Sequence, residues 1–310
     1  MHHRLIVFIV DGAGHAFFDL MRLRMSEKRF TTFFTHAAIV TNKPLDDMVA
    51  DSASAATALS TGVCVPLRCI SMGTNGKPLQ TCMESARDRG FLTGLVVTST
   101  MTDATPAAFF AHAQSRYSKL IIESQILNFI PDIFAAGCHS AASLNRIIHA
   151  YGQENVHSSD VTCDVNIKDD TPQALVSVGD DHRNLPKLVQ FALNKTYNTN
   201  AVLLVESSHV DKFLHICDKK QAIIEMNNTI NTLETIMDNT DPAHTTIVLT
   251  SDHGTSDFSY TNNGKIHLTM GDHSNGSVPL FASGKYAPLF KGMLPQETVG
   301  KIINSIVKQM

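Results

Sequence analysis

The sequence predicts an α/β protein in which a mostly parallel central sheet is covered by helices on both faces. Two observations lead to this fold class. Apolar runs of strand length alternate with segments of helical periodicity along the chain, and polar residues, many of them acidic, follow the points where apolar runs end. Strands that alternate with helices form parallel sheets, and ligands bind beyond the carboxyl ends of such strands. We therefore expect a three-layer sandwich that forms a single domain over residues 1–310.

The strand and helix segments follow from these patterns in chain order. Buried strands are predicted at residues 4–10, 37–41, 92–98, 131–136, 201–205, 245–250 and 278–282. Helices are predicted at residues 15–23, 52–61, 79–89, 106–113, 118–129, 141–151, 185–195, 220–237 and 296–307. Pro106 suits the first turn of its helix, and Gly62 suits a position just beyond a helix end. The polar segment 152–183 is predicted to be irregular or to form a small excursion.

Composition limits the classes of function. The chain has 310 residues, of which 43% are hydrophobic and 17% charged, so it can bury a large core. A net charge of -4 and the absence of any Lys or Arg run argue against a nucleic-acid or membrane-surface partner. The opening apolar run stops at Asp11 without a signal-peptide cleavage site, and no run approaches the length of a membrane span.

A small-residue stretch from Asp51 to Gly62, Asp-Ser-Ala-Ser-Ala-Ala-Thr-Ala-Leu-Ser-Thr-Gly, predicts a short helix with Ser52 at its start. A hydroxyl at a helix N-terminus faces unpaired N–H groups and the positive end of the helix dipole, which favour a bound phosphate. Ser52 is therefore a candidate phosphoryl acceptor. The alternative is that Ser52 only caps the helix.

Acidic residues and histidines follow the predicted strands in numbers that call for cations. The strand ends carry Asp11, Asp103, Glu206, Asp252 and His253. Asp211 and His215 are four residues apart on one helical face, and His273 follows in a loop. Converging carboxylates repel one another unless cations lie between them. Carboxylate and imidazole ligands together suit zinc, whereas a site made of oxygen ligands alone suits magnesium.

The order of these motifs resembles that of the alkaline phosphatase family, from Phe-Ile-Val-Asp-Gly at residues 8–12 to Gly-Asp-His at residues 271–273. The resemblance implies that Ser52 is the residue that becomes phosphorylated, and that Ser54 is not. It also implies two zinc ions and one magnesium ion per chain. Asp11, Asp252 and His253 match the ligands of one zinc ion; Asp211, His215 and His273 match those of the other; Asp11, Thr105 and Glu206 match the ligands of magnesium.

Three further residues match positions around the phosphate. Arg116 stands at the place of the family's phosphate-clamping arginine, and a guanidinium can bind two phosphoryl oxygens at once. Its alternative interpretation is a solvated surface arginine. Asp103 and Lys212 match the bacterial pattern of the family, in which Lys212 would approach the phosphate through water and pair with Asp103.

The chain also departs from the family pattern. Ser207 stands where glycine is usual, and Thr255 replaces a histidine that commonly follows the Asp-His pair. His267 lies six residues before His273, so the identity of the last zinc ligand is open between them, with the Gly-Asp-His context favouring His273.

These features predict a hydrolase of phosphate monoesters with broad specificity that works through a phosphoserine intermediate. The alternatives are a phosphodiesterase, a sulfatase or a phosphomutase on the same fold, and a protein without activity that binds metal or phosphate. Family members are usually homodimers and usually periplasmic or secreted. A homodimer is therefore one assembly to test, while the absence of a visible signal segment leaves the compartment unassigned.

Overall fold

The computed structural model describes residues 2–158, 171–178, 184–255, 258–260, 266–268 and 271–310, with the backbone alone at residues 16, 258–260 and 266–268. Its strands are β1 (Arg4–Val10), β2 (His36–Thr41), β3 (Leu92–Thr100), β4 (Ile133–Cys138), β5 (Val156–Ser158), β6 (Gln173–Val178), β7 (Ala201–Ser207), β8 (Thr245–Thr250), β9 (Gly254–Thr255), β10 (Phe258–Tyr260), β11 (Ile266–Leu268), β12 (His273–Ser274), β13 (Val278–Ser283) and β14 (Gly292–Pro295). Its α-helices are α1 (His15–Arg24), α2 (Glu27–Phe33), α3 (Ser52–Thr61), α4 (Cys82–Asp88), α5 (Ala104–Phe110), α6 (Lys119–Phe129), α7 (Ala141–Tyr151), α8 (Leu185–Lys195), α9 (His209–His215), α10 (Lys219–Asp238) and α11 (Gln296–Gln309).

Ten strands form one sheet in the order β14-β2-β13-β8-β1-β7-β3-β4-β6-β5. Every neighbouring pair is parallel except those of β13, which runs antiparallel to both β2 and β8. The carboxyl ends of β1, β3, β7 and β8 therefore meet at one edge. The mostly parallel sheet of the predicted fold class is confirmed.

Helices cover both faces of the sheet because its central strands are apolar on both sides. Alternate residues of β1 point to opposite faces, so that Val7 packs in a core with α3, α4, α5, α6, α7 and α11, and Phe8 packs in a core with α1, α2, α8, α9 and α10. Both side chains are completely buried. The three layers follow from this two-sided burial.

The segment 152–183 was predicted to be irregular or to form a small excursion, and this prediction is wrong for two stretches. Residues 156–158 and 173–178 form β5 and β6, which extend the sheet beyond β4. Ala174, Leu175 and Val176 are buried, but three consecutive apolar residues among polar ones are too few for a pattern to stand out. Residues 159–170 and 179–183 lie outside the described part of the chain.

Two predicted helices are shorter than expected. The helix predicted at 79–89 begins only at Cys82, because Thr81 and Glu84 form a capping box that fixes its start. The helix predicted at 106–113 covers Ala104–Phe110, and the chain is extended from Ala111 so that Ala113 can bridge to Ile70.

The helix that begins at Ser52 packs closely against the last helix, α11. A Cβ atom added at Gly300 would lie 2.7 Å from the backbone nitrogen of Gly62, so only glycine lets the two backbones approach this closely. Asn304 Nδ2 also donates to the Ser60 carbonyl at 2.9 Å. Because Gln296 Nε2 donates to the Asp252 carbonyl at 2.8 Å, α11 holds both α3 and the loop after β8.

No helix among the described residues is both long enough and apolar enough to cross a membrane.

Candidate active site

The start of α3 places the Ser52 hydroxyl inside the protein. Asp51 is the N-cap residue, and its Oδ1 accepts from the Ser54 backbone nitrogen at 3.0 Å. Ser52 is 4% exposed, and its Oγ lies 3.3 Å from His253 Nε2. The interpretation of Ser52 as a mere cap is therefore wrong, because Asp51 caps the helix and the Ser52 hydroxyl is directed to a histidine.

Three ligand-type residues meet beside Ser52 at the ends of β1 and β8. His253 Nε2 lies 3.5 Å from Asp11 Oδ1 and 3.2 Å from Asp252 Oδ2. Both carboxylate oxygens are buried and make no hydrogen bond in the described structure. The other oxygen of Asp252, Oδ1, accepts hydrogen bonds from the backbone nitrogens of Gly12, at 3.1 Å, and of His253, at 2.9 Å. One oxygen of each carboxylate and one imidazole nitrogen thus face the same point, as a cation site requires.

A second group of ligand-type residues consists of Asp211, His215 and His273. His215 Nε2 lies 3.2 Å from Asp211 Oδ2 and 3.1 Å from His273 Nε2. The Nδ1 atoms of the two histidines lie 2.8 Å from the Gly271 carbonyl and 2.9 Å from the Ala50 carbonyl. Since carbonyl oxygens only accept, each Nδ1 carries a proton, which leaves Nε2 as the atom able to bind a metal.

His253 joins the two groups. Its ring stacks on that of His273 with centroids 3.7 Å apart, and ligand atoms of Asp211, His253 and His273 lie within 4.8 Å of one another. The six residues that the sequence assigned to two zinc ions are therefore brought together in one continuous cluster. The side chain of His267, the alternative to His273, lies outside the described residues.

Thr255 and Gly12 support this cluster, and the sequence interpretation gave neither of them a role. The Thr255 hydroxyl donates to Asp211 Oδ1 and lies 3.4 Å from His253 Nδ1. The Thr255 backbone nitrogen donates to the Gly12 carbonyl at 2.9 Å. Gly12 has a positive φ of 69°, and an added Cβ would lie 2.7 Å from the Asp211 Cβ. The Asp-Gly pair directly after β1 was a visible signal for a turn, but its contact with Asp211 is tertiary.

The third predicted metal site would use oxygen ligands alone, and its predicted ligands are buried. Thr105 Oγ1 is buried and makes no hydrogen bond within the described structure. Glu206 is 1% exposed, and its Oε2 accepts from Ser99 Oγ at 3.0 Å. Burial, followed by the negative charge of Asp103, raises the pKa of Glu206 to about 8.

The carboxylates of the site need positive charge to be ionised together. Burial, followed by the charges of Asp252, Asp211 and Glu206, raises the pKa of Asp11 well above its ordinary value. Burial alone would raise the pKa of Asp211. The hydrogen bond from His215, the positive charges of His253 and His215 and the hydrogen bond from Thr255 outweigh burial, so the pKa of Asp211 lies below its ordinary value. The unpaired buried oxygens, together with imidazole ligands, fit zinc in the first two groups and magnesium at the Thr105 hydroxyl and Glu206.

Asp103 lies between two lysines. Lys212 Nζ is 2.9 Å from its Oδ2, which confirms the predicted ion pair, and Lys119 Nζ is 3.2 Å from its Oδ1. Burial opposes ionisation of Asp103, but the two lysine charges outweigh it and hold the pKa of Asp103 below its ordinary value. Lys119 was not identified from the sequence, where nothing links it to Asp103.

Arg116 is held toward the start of α3 and is not a freely solvated side chain. Its side chain is 26% exposed, and Nη1 lies 3.2 Å from Asp51 Oδ2. Its backbone nitrogen donates to the Arg68 carbonyl at 2.8 Å. The residue that caps the Ser52 helix therefore also orients the arginine.

Comparison with known proteins finds similarity to alkaline phosphatases. A family model described as alkaline phosphatase matches residues 2–143. The chain is 27% identical over 285 residues to alkaline phosphatase 3 of Bacillus subtilis, covering 82% of this chain and 62% of that protein. It is 45% identical over 80 residues to the alkaline phosphatase of Schizosaccharomyces pombe, covering 26% of this chain and 15% of that protein. The chain thus spans less than two thirds of the length of these curated relatives.

The fold has a counterpart among solved structures. The structure of alkaline phosphatase from the Antarctic bacterium TAB5 superposes with a TM-score of 0.86 at 20% sequence identity, and all of both chains is covered. The match in fold is therefore complete over the chain. Together with the family model and the named relatives, this match supports the assignment of the chain to the alkaline phosphatase family.

Proposed function

We propose that the chain is a phosphomonoesterase that transfers the phosphoryl group of its substrate to Ser52 and then to water. The observation that carries this proposal is the position of Ser52. Its Oγ lies at a helix N-terminus, 3.3 Å from His253 Nε2, beside unpaired buried oxygens of Asp11 and Asp252. We further propose that residues 1–310 form one catalytic domain and follow the bacterial pattern of Asp103 and Lys212.

The residues present would hold two zinc ions and one magnesium ion. The first zinc ligands are Asp11, Asp252 and His253; the second are Asp211, His215 and His273; the magnesium ligands are Asp11, Thr105 and Glu206. Bound there, the metals would lower the pKa values of a hydroxyl and a water molecule and offset negative charge on the reacting oxygens. A solved variant of the TAB5 alkaline phosphatase contains bound Mg, which supports the third site.

The protein's own groups bind and orient the phosphoryl group. The start of α3 presents the positive end of its dipole to the phosphate. Arg116 can bind two phosphoryl oxygens, and Asp51 fixes its guanidinium from the side of the helix. Lys212 lies beside the phosphate position with its charge matched by Asp103.

The reaction takes place in two displacements at phosphorus. Ser52 Oγ loses its proton and forms a bond to phosphorus as the bond from phosphorus to the alcohol oxygen breaks, and the alcohol leaves with one proton, so this step has no net proton change. A water oxygen then loses a proton and bonds to phosphorus, the bond to Ser52 Oγ breaks, Ser52 regains a proton, and phosphate leaves. Arg116 stays with two of the non-bridging oxygens throughout and stabilises the charge on the phosphoryl group.

The test combines metal content with hydrolysis of p-nitrophenyl phosphate over a range of about pH 6 to 10. We expect about two zinc ions per chain, and we expect Ser52→Ala to lose about three orders of magnitude or more in kcat while retaining zinc. Ser54→Ala is the matched control, since Ser54 lies in the same helix and its Oγ donates to the Asp51 carbonyl at 3.1 Å. Bound zinc without turnover of the monoester would instead favour a diester or sulfate ester substrate. Full activity in Ser52→Ala would exclude the covalent route.

A further inference from the structure

Among the described residues around Asp51 and Asp103, one basic side chain makes no ion pair. Four basic side chains are carried by the segments that meet around Asp51 and Asp103: Arg68, Arg116, Lys119 and Lys212. Arg116 is paired with Asp51, and both lysines are paired with Asp103. Within the described part of the chain, no carboxylate lies within ion-pair distance of the Arg68 guanidinium, and Arg68 is exposed.

The backbone of Arg68 is fixed next to the proposed machinery. Its nitrogen donates to Asp51 Oδ1 at 3.1 Å, and its carbonyl accepts from the Arg116 nitrogen at 2.8 Å. Arg68 also has a positive φ of 64°, a backbone conformation that residues other than glycine rarely adopt. The hydrogen bonds hold the chain in this strained form, so the side chain of Arg68 starts from a defined position beside the residue that precedes Ser52.

Tyr117 supports the free guanidinium. The Cζ atom of Arg68 lies 5.9 Å from the centroid of the Tyr117 ring, which is within the range of a cation–π contact. Tyr117 directly follows Arg116 and is 68% exposed. An arginine held over an aromatic ring, without a carboxylate of its own, is ready to bind an anion from solution.

We propose that Arg68, supported by Tyr117, binds a second anionic group on the leaving group of the substrate. The preferred substrates are then phosphate monoesters that carry another phosphate elsewhere in the molecule. This inference rests on the proposed function. We assign the transferred phosphoryl group to Arg116 and the start of α3. Arg68 is hydrogen-bonded to Asp51 and Arg116 through its backbone, and its side chain is exposed, so we assign to it the part of the substrate beyond that group.

The test compares two substrates that differ only in a distant charge. We choose para-methylphenyl phosphate and para-(phosphonomethyl)phenyl phosphate, since a phosphonate cannot be hydrolysed and the methylene group separates it from the phenol oxygen. We expect kcat/KM to be about ten-fold higher for the phosphonate substrate, the effect of one charged hydrogen bond at an exposed site. In Arg68→Met this ratio should fall to about one, and Arg68→Lys should retain part of it.

A matched control is available in Arg89, which is also exposed and lies over an aromatic ring, with Cζ 5.2 Å from the centroid of Phe91. Arg89 is at the end of α4, just before β3 begins, and thus at the opposite edge of the sheet. Arg89→Met should keep the substrate ratio of the wild type. A ratio in Arg68→Met that equals the wild-type ratio would overturn the inference.

A binding measurement separates this inference from the proposed function. In zinc-loaded Ser52→Ala, calorimetry gives the dissociation constants of both compounds without turnover, and we expect the phosphonate compound to bind about ten-fold more tightly. If the wild type hydrolyses neither compound while Arg68→Met still removes the binding preference, the function fails and the subsite stands. If both compounds are hydrolysed equally well and bound equally tightly, the subsite fails and the function stands.

Discussion

Replacing Gly12 with alanine tests the packing at the centre of the site. The added methyl group would lie 2.7 Å from the Asp211 Cβ and 2.8 Å from Thr255 Oγ1, with Asp211 Oδ1 closer still. The positive φ of 69° costs about 1 to 2 kcal/mol for a residue with a Cβ, and overpacking costs about 1 to 3 kcal/mol more. We therefore expect Gly12→Ala to lower the free energy of unfolding by about 2 to 5 kcal/mol, a large part of the stability of an ordinary domain.

Variants at two other glycines separate the cost of the positive φ from the cost of overpacking. Gly90 has a φ of 70° and nothing within 4 Å of an added Cβ, so Gly90→Ala should show only the backbone cost of about 1 to 2 kcal/mol. Gly14 is two residues from Gly12 and has neither a positive φ nor a nearby atom, so Gly14→Ala should change stability by less than about 0.5 kcal/mol.

The assay is urea unfolding of all four proteins after metal removal with a chelator, followed by circular dichroism. Metal removal ensures that a lost ligand contact is not counted as lost packing. Equal losses in Gly12→Ala and Gly90→Ala would refute the argument, because they would mean that Asp211 and Thr255 can move away without cost.

Two further predictions concern hydrogen bonds on and near the site. Thr255→Val removes the hydroxyl that donates to Asp211 and lies next to His253. We expect zinc affinity, measured by chelator competition, to fall about ten- to a hundred-fold in this variant and to recover in Thr255→Ser. Unchanged zinc affinity in Thr255→Val would show that Thr255 does not support the zinc ligands. Glu84→Gln removes the charge that faces His112 Nε2 at 2.9 Å but can keep the capping box. Although burial opposes both shifts, the hydrogen bond between His112 and Glu84 raises the pKa of His112 above 6.5 and lowers the pKa of Glu84 below 4.5. The stabilising contribution of His112 is complete below its unfolded-state pKa and is lost as pH rises through the folded value, while that of Glu84 is lost as pH falls through its own folded value. The cost of Glu84→Gln, about 1 kcal/mol, should therefore be largest near pH 5.5 and shrink toward pH 8 in unfolding experiments, and a cost that does not change with pH would contradict the ion pair.

The part of the fold that the sequence predicted is the part in which local pattern and tertiary environment agree. β1 is buried on both faces and reads as an unbroken apolar run. β14 was not predicted, because it lies at the sheet edge with most of its residues exposed and only four residues in length. α2 was missed as well, since its seven residues include only Phe30 as a buried side chain.

In the candidate site, too, some contacts could be predicted from the sequence and others could not. Asp11 and Asp252 could be placed together from sequence, because each follows a buried strand and parallel strands end at one edge. The contacts of Thr255 with Asp211, and of Lys119 with Asp103, join residues 44 and 16 positions apart through loops and helix ends. No periodicity extends across such connections, so these contacts needed the folded chain.

The close packing of α11 on α3 has a consequence for synthesis. Ser52 and its helix leave the ribosome more than two hundred residues before Gly300, the residue that lets α11 approach α3. At usual rates of translation this interval lasts about 10 to 50 s. During that time α3 has no partner for the surface on which α11 will pack, and the Asp252 carbonyl has no donor from Gln296. Ser52 is thus among the first residues of the candidate site to be synthesised, but the packing that supports α3 forms only after α11 has been made.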